Sequence, residues 1–132
     1  MTKLSFQEIA KGIRIIAEEE GVDPDLAVKV AECESGLNPR ATNINRDGSV
    51  DRGLYQWNDK WHPEISDECA YNRYCATRAF CKAVKSGHLD WWSASKHCWK
   101  SAYKRSLLTR IRDILRTLIS LYRQLLKKRS LR

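Results

Sequence analysis

The chain has 132 residues, 42% of them hydrophobic and 30% charged, a balance that suits one compact domain and excludes both a disordered polymer and a bundle of membrane spans. Its formal net charge of +8 is lopsided, because the stretch from Lys100 onward holds eleven Lys or Arg and one acid, while residues 1–99 hold thirteen bases and fifteen acids. A near-neutral body with a basic tail makes a polyanion the natural partner of the tail.

The first residues, Met1 to Glu8, contain no apolar run long enough for a signal peptide, so no export signal is expected at this end. Ser5 followed three residues later by Glu8 has the form of a capping box, and Phe6, Ile9, Ile13, Ile16 and Ala17 then recur at helical spacing until Gly21. A second helix is predicted from the N-cap Asp23 and Pro24 to Gly36, with Leu26, Ala27, Val30 and Ala31 on its apolar face. Glu34 then falls in its last turn. Residues 37–53 are rich in Asn, Asp, Gly, Ser and Pro and are expected to form a polar hairpin or irregular lobe. Helical character returns at Leu54–Trp57, at Ala70–Lys85 and briefly at Trp91–Trp99.

From Leu107 to Leu126 the apolar residues keep a 3,4 spacing that predicts one long amphipathic helix. Arg110, Arg112, Asp113, Arg116 and Arg123 lie within it and make it unsuited to crossing a bilayer. Its apolar stripe has three readings: docking on the domain or on a second copy of the chain, lying on an anionic membrane or other envelope surface, or binding nucleic acid. The last is the least supported, since no groove-reading motif accompanies the charge. The expected division is a domain over residues 1–100 and a basic helical segment over 101–132.

Five cysteines, Cys33, Cys69, Cys75, Cys81 and Cys98, are many for so short a chain, and none form a Cys-x-x-Cys pair. That spacing argues for disulfides in an oxidising compartment, with one thiol left over, rather than for a zinc site. No metal and no cofactor is implied, and His62, His88 and His97 are read as structural or surface residues.

Breaking a glycosidic bond requires a carboxylic acid held neutral beside the leaving oxygen and a second group facing the developing cation. Glu34 lies in Cys33-Glu34-Ser35-Gly36-Leu37-Asn38-Pro39, and Asp51-Arg52-Gly53-Leu54-Tyr55-Gln56 follows one polar lobe later. This pairing resembles the Glu-Ser and Gly-Leu-x-Gln signatures of the transglycosylase domain in the lysozyme superfamily. The stretch Asn43 to Gln56 is also similar to the C-type lysozyme pattern. The resemblance runs over roughly residues 6–99 and is strongest over 33–58.

What it implies is a mainly α, α+β lysozyme-like fold of two lobes with a cleft between them. Glu34 would be the catalytic acid and Asp51, which is otherwise a turn residue bonding its own backbone, the second carboxylate. The tuning of two carboxylates apart is the logic long attached to lysozyme itself and comes with the resemblance. Gln56 and Asn58, surface amides on a plainer reading, would line the cleft. Ser35 would either satisfy helix-end carbonyls or bond the Glu34 carboxyl. Tyr55 and Trp91 are expected as cleft-lining aromatics, the other tryptophans as core. The segment Trp91-Trp92-Ser93-Ala94-Ser95-Lys96-His97-Cys98 resembles the lysozyme segment that sets a Trp over the catalytic Glu and ends in a disulfide to its helix. By that likeness Trp91 dehydrates Glu34 and Cys98 bonds Cys33. Cys69 and Cys75 enclose five residues and form the nearest local pair, although four thiols admit three pairings.

The implied substrate is the glycan of peptidoglycan, cut at the β-1,4 bond between N-acetylmuramic acid and N-acetylglucosamine, in an extracellular or periplasmic setting. The Ala-Tyr-Asn-x-Gly type motif of the transglycosylases is missing, and hydrolysis and anhydro-ring formation both stay open. Two other readings remain: a glycan-binding module without catalysis, and an envelope-disrupting protein that acts through its tail.

Overall fold

The computed structural model describes residues 3–132; Met1 and Thr2, the start of the stretch read for an export signal, lie outside the described residues. The elements run α1 (Phe6–Glu20), α2 (Pro24–Ser35), β1 (Thr42–Ile44), β2 (Val50–Arg52), β3 (Trp57–Asn58), α3 (Asp67–Tyr71), α4 (Arg73–Lys85), a 3-10 helix (Leu89–Ser95) and α5 (Lys96–Ser130). The fold is mainly α with a small antiparallel sheet in the order β1-β2-β3.

Helix α1 begins with the capping box, in which the Ser5 hydroxyl accepts from the Glu8 N–H and Glu8 Oε2 accepts from the Ser5 N–H at 2.7 Å. Its buried face, Ile9, Ile13, Ile16 and Ala17, packs on α4 and α2. Helix α2 starts at Asp23, whose carboxylate accepts from the Leu26 N–H at 2.9 Å, and stops at Gly36 in the left-handed region (φ 62°). The Gly36 N–H reaches the Glu32 carbonyl at 2.9 Å, closing the helix immediately after Glu34 and Ser35.

The polar lobe is a three-stranded hairpin pair rather than an irregular loop. Its register sets Asn43 opposite Asp51 and Asp51 opposite Asn58. Leu54–Trp57 is a correction: the apolar spacing predicts helix, but residues 53–56 form the turn between β2 and β3. Arg52 pairs with Trp57, the Gln56 N–H bonds the Gly53 carbonyl at 3.2 Å, and Gly53 and Gln56 both adopt positive φ (75° and 52°), which no α-helix contains. The predicted helix over 70–85 is broken at Asn72, whose side chain accepts from the Tyr74 and Cys75 N–H groups and caps α4.

The largely aliphatic core holds an aromatic cluster. Tyr55 and Phe80 are fully buried and stacked with ring centroids 4.3 Å apart, and Trp92 stands edge-on to Phe80 at 4.8 Å. Arg52 is buried in the lobe junction, donating to the Trp57 and Ile65 carbonyls and to Asp67, each at 2.8–2.9 Å.

Helix α5 has 35 residues with no Gly or Pro to interrupt it, and the division expected at residue 100 falls inside this continuous element. Its first turns bury Trp99, Ala102 and Ser106, packing on α2 and the 3-10 helix. Every residue from Leu108 to the C-terminus is exposed. Among the described residues, no helix is long and apolar enough to cross a membrane.

Candidate active site

An open cleft of about 850 Å³ separates the sheet lobe from the helical body, lined among others by Glu34, Asp51, Gln56, Asn58, Trp61 and Trp91. Glu34 enters from the last turn of α2, where the carbonyl end of the helix disfavours negative charge. Burial raises its pKa above the ordinary 4.5 and the Asp51 charge raises it further, while a hydrogen bond from Ser95 opposes both. Ser95 Oγ contacts Glu34 Oε1, lies 3.2 Å from the Trp92 carbonyl oxygen and accepts from Trp99 Nε1 at 3.1 Å. A hydroxyl carries one proton and can turn it. With Glu34 ionised, Ser95 donates to the carboxylate; with Glu34 protonated, it can accept from the acid and donate to Trp92. The Cys33–Cys98 disulfide joins the residue before Glu34 to α5 three residues after Ser95, and so ties together the two segments that make this contact.

Asp51 occupies the middle of β2, and the strand register supplies its partners. Asn58 Nδ2 donates to Oδ1 at 2.8 Å; Asn45 and Asn43 donate to Oδ2 at 3.0 and 3.2 Å. Three amides and no cation hold this carboxyl, which accepts from all of them. The turn below is braced by Asp47, whose pKa falls to about 2 because it accepts from the Ser49 hydroxyl and N–H and from Lys60.

Several residues named from the sequence stand elsewhere or act differently. Tyr55 is among the residues lining the cleft, but from beneath: its ring is fully buried and stacked on Phe80, with its hydroxyl donating to the Ala27 carbonyl at 3.0 Å. Ser35 bonds the Ala31 carbonyl at 2.9 Å and accepts from the Asn38 N–H, the helix-end role; the hydroxyl on Glu34 belongs to Ser95. Asn58 and Gln56 reach the cleft with their amide nitrogens engaged, Asn58 on Asp51 and Ser49, Gln56 on the Gly53 and Ala41 carbonyls. Trp91 lines the cleft half-exposed, stacked on His88 with centroids 4.4 Å apart and beside His62 at 4.5 Å.

Other site residues were not singled out from the sequence. Trp57, Trp61, Trp92 and His62 all border the cleft, and Asn43, Asn45 and Ser95 hold the two carboxylates. The alternation Asn43-x-Asn45 was the available signal for one strand face. The Cys69–Cys75 disulfide bridges α3 and α4 beneath the lobe, leaving Cys81 as a buried thiol that burial pushes up to about 11, an unreactive state. Among the described residues, no three His, Cys, Asp or Glu side chains gather closely enough to hold a metal ion.

The two-lobed fold and its two-carboxylate cleft define a lysozyme-like architecture. Residues 14–94 match the family model described as "Lysozyme like domain", and the chain belongs to that family. Among solved structures it is similar to a lysozyme from Equus asinus, at 27% identity and a TM-score of 0.52 over 74% of this chain and 89% of that one. A lysozyme from Litopenaeus vannamei is 19% identical with a TM-score of 0.51, over 74% of this chain and 86% of that one, and shares the fold. No curated protein matches the chain. Family and structural neighbours support a glycosidase function of the lysozyme kind.

Proposed function

We propose that the protein cleaves the β-1,4 bond between N-acetylmuramic acid and N-acetylglucosamine in peptidoglycan glycan strands, outside the cytoplasm. The observation that carries this reading is the pair of unlike carboxyls in one open cleft: Glu34, inclined to keep its proton by burial, and Asp51, held by three amides. Glu34 protonates the bridging oxygen as the C1–O bond breaks. The oxocarbenium-like cation at C1 is then stabilised by Asp51 or by the sugar's own acetamido oxygen. Glu34, now ionised, accepts a proton from the attacking group. If that group is water the product has a reducing end; if it is the sugar's own hydroxyl, the product is an anhydro ring. The exposed aromatic faces of Trp61 and Trp91 give sugar rings surfaces to pack on.

The test is release of soluble muropeptides from purified cell walls by the full chain and by Glu34→Gln. Loss of a general acid should lower the rate by about 10²- to 10⁴-fold, while the folded state persists. Undiminished release by the variant would overturn the assignment of Glu34, and wall binding without any release by either protein would mark a glycan-binding module instead. Mass spectrometry of the released ends separates hydrolysis from anhydro-ring formation.

A further inference from the structure

The outer part of α5 belongs to neither the core nor the cleft. From Leu108 to Ser130 it is helical and exposed along its whole length, so the domain does not cover its apolar residues. The 24 residues after Ser106, the last buried position, extend about 36 Å at 1.5 Å per residue. At 3.6 residues per turn the apolar side chains fall within one continuous arc of about 160°, running from Leu121 through Leu125 and Leu118 to Ile119. Ile111, Leu118 and Leu125 at its centre are 53%, 56% and 63% exposed.

The charges decide what covers this face. Arg110 and Lys128 border the arc on one side, Arg112, Arg123 and Arg116 border it on the other, and Arg129, five turns after Ile111, enters it only in the last turn, beyond Leu126. Asp113 is the single acid; it points away from the arc and lies 3.7 Å from Arg112. A two-stranded coiled coil buries a narrower seam than this arc. A larger bundle would cover the whole arc but would press the cationic edge of each helix against the cationic edge of the next, with no acid to alternate. An anionic bilayer meets both requirements at once. The apolar arc sinks below the headgroups while arginines at its edges extend to the phosphates, their stems lying along apolar surface.

We propose that residues 108–130 form an interfacial helix that lies flat on anionic phospholipid membranes and tethers the cleft domain there. This goes beyond the glycosidase reading and does not depend on it.

The test is co-sedimentation of the full chain with vesicles of phosphatidylcholine alone and of an equimolar mixture with phosphatidylglycerol, in low salt and in about 0.5 M salt, where charges are screened within a few ångströms. The proposal expects at least tenfold tighter partitioning to the anionic vesicles, weakened by salt. Reversing two charges, Arg116→Glu with Arg123→Glu, should weaken it by about a hundredfold or more, and Leu118→Glu should weaken it without changing the charge of the flanking arginines. All three positions are exposed, so an unchanged melting temperature certifies the fold of each variant. Equal partitioning to both vesicles, no partitioning to either, or anionic binding that survives Leu118→Glu each overturns it. So does a concentration-dependent oligomer, seen by sedimentation velocity, that Leu118→Glu dissolves while the full chain ignores vesicles.

Discussion

Helix α2 and the outer part of α5 are both amphipathic, and the difference between them lies in what meets the apolar face. In α2, Leu26, Ala27, Val30 and Ala31 are buried against the body. The helix is stopped by a left-handed glycine, and a disulfide anchors it one residue before Glu34. In the outer part of α5, no apolar side chain is buried and no hydrogen bond or disulfide joins it to the rest of the described chain. Chemistry that depends on a particular carboxyl protonation state needs the first kind of helix, since a pKa shift arises only where burial and neighbours are fixed. A surface that must adapt to a deformable partner can be built from the second, which brings a charge pattern and an uncovered stripe without a fixed geometry.

The comparison predicts that single substitutions act very unequally in the two regions. The largest effect should come at Gly53, in the turn that brings β3 back beside Asp51. Its φ is 75°, and a Cβ there would stand 1.9 Å from the Ala70 carbonyl oxygen, so backbone must move. Gly53→Ala is expected to cost at least about 3 kcal/mol in urea unfolding. A variant as stable as the wild type would show that the lobe junction is looser than the contact requires.

Much of the body was legible because local signals and tertiary structure agree there. The capping box at Ser5, the Asp23-Pro24 start and Gly36 mark α1 and α2, and the resemblance around Cys33-Glu34-Ser35 singled out the half-buried carboxyl of the cleft. The turn at 53–56 was misread because four residues of mixed apolar character fit a helical period as well as a turn, and the deciding feature, positive φ at Gln56, is rare for a residue with a Cβ. The burial of Tyr55 was hidden for a related reason: an aromatic beside a cleft-lining glutamine can face the groove or the core, and only the Phe80 stack shows how its ring is turned. Ser95 lies 61 residues from Glu34, a separation that no periodicity covers.

Ser95 offers an intermediate effect with a readable sign. Its hydroxyl favours the ionised form of Glu34, so Ser95→Ala should raise the Glu34 pKa further. The basic limb of the pH–activity profile should move to higher pH, and the lost bonds should cost about 1–2 kcal/mol. The stability profile checks the same shift. Because Glu34 releases its proton less readily when folded, it costs stability as pH rises above 4.5, where the unfolded chain ionises first. Glu34→Gln should therefore gain on the wild type above that pH and match it below. A basic limb that stays in place in Ser95→Ala would show that the hydroxyl does not set the proton affinity of Glu34.

The smallest effect is expected from the most drastic change. Ending the chain after Arg110 removes 22 residues and most of the tail charge, yet every residue removed is exposed and none packs on the body. The unfolding free energy of the domain should change by less than about 0.5 kcal/mol, and cleavage of soluble glycan fragments should be unaffected. Hydrogen exchange gives the complementary measurement on the full chain. A helix held only by its own hydrogen bonds opens readily in water, so amides of residues 111–130 should exchange orders of magnitude faster than those of Val30 and Ala31. Slow exchange in the tail, or a domain that melts early without it, would mean that the stripe packs against protein in solution.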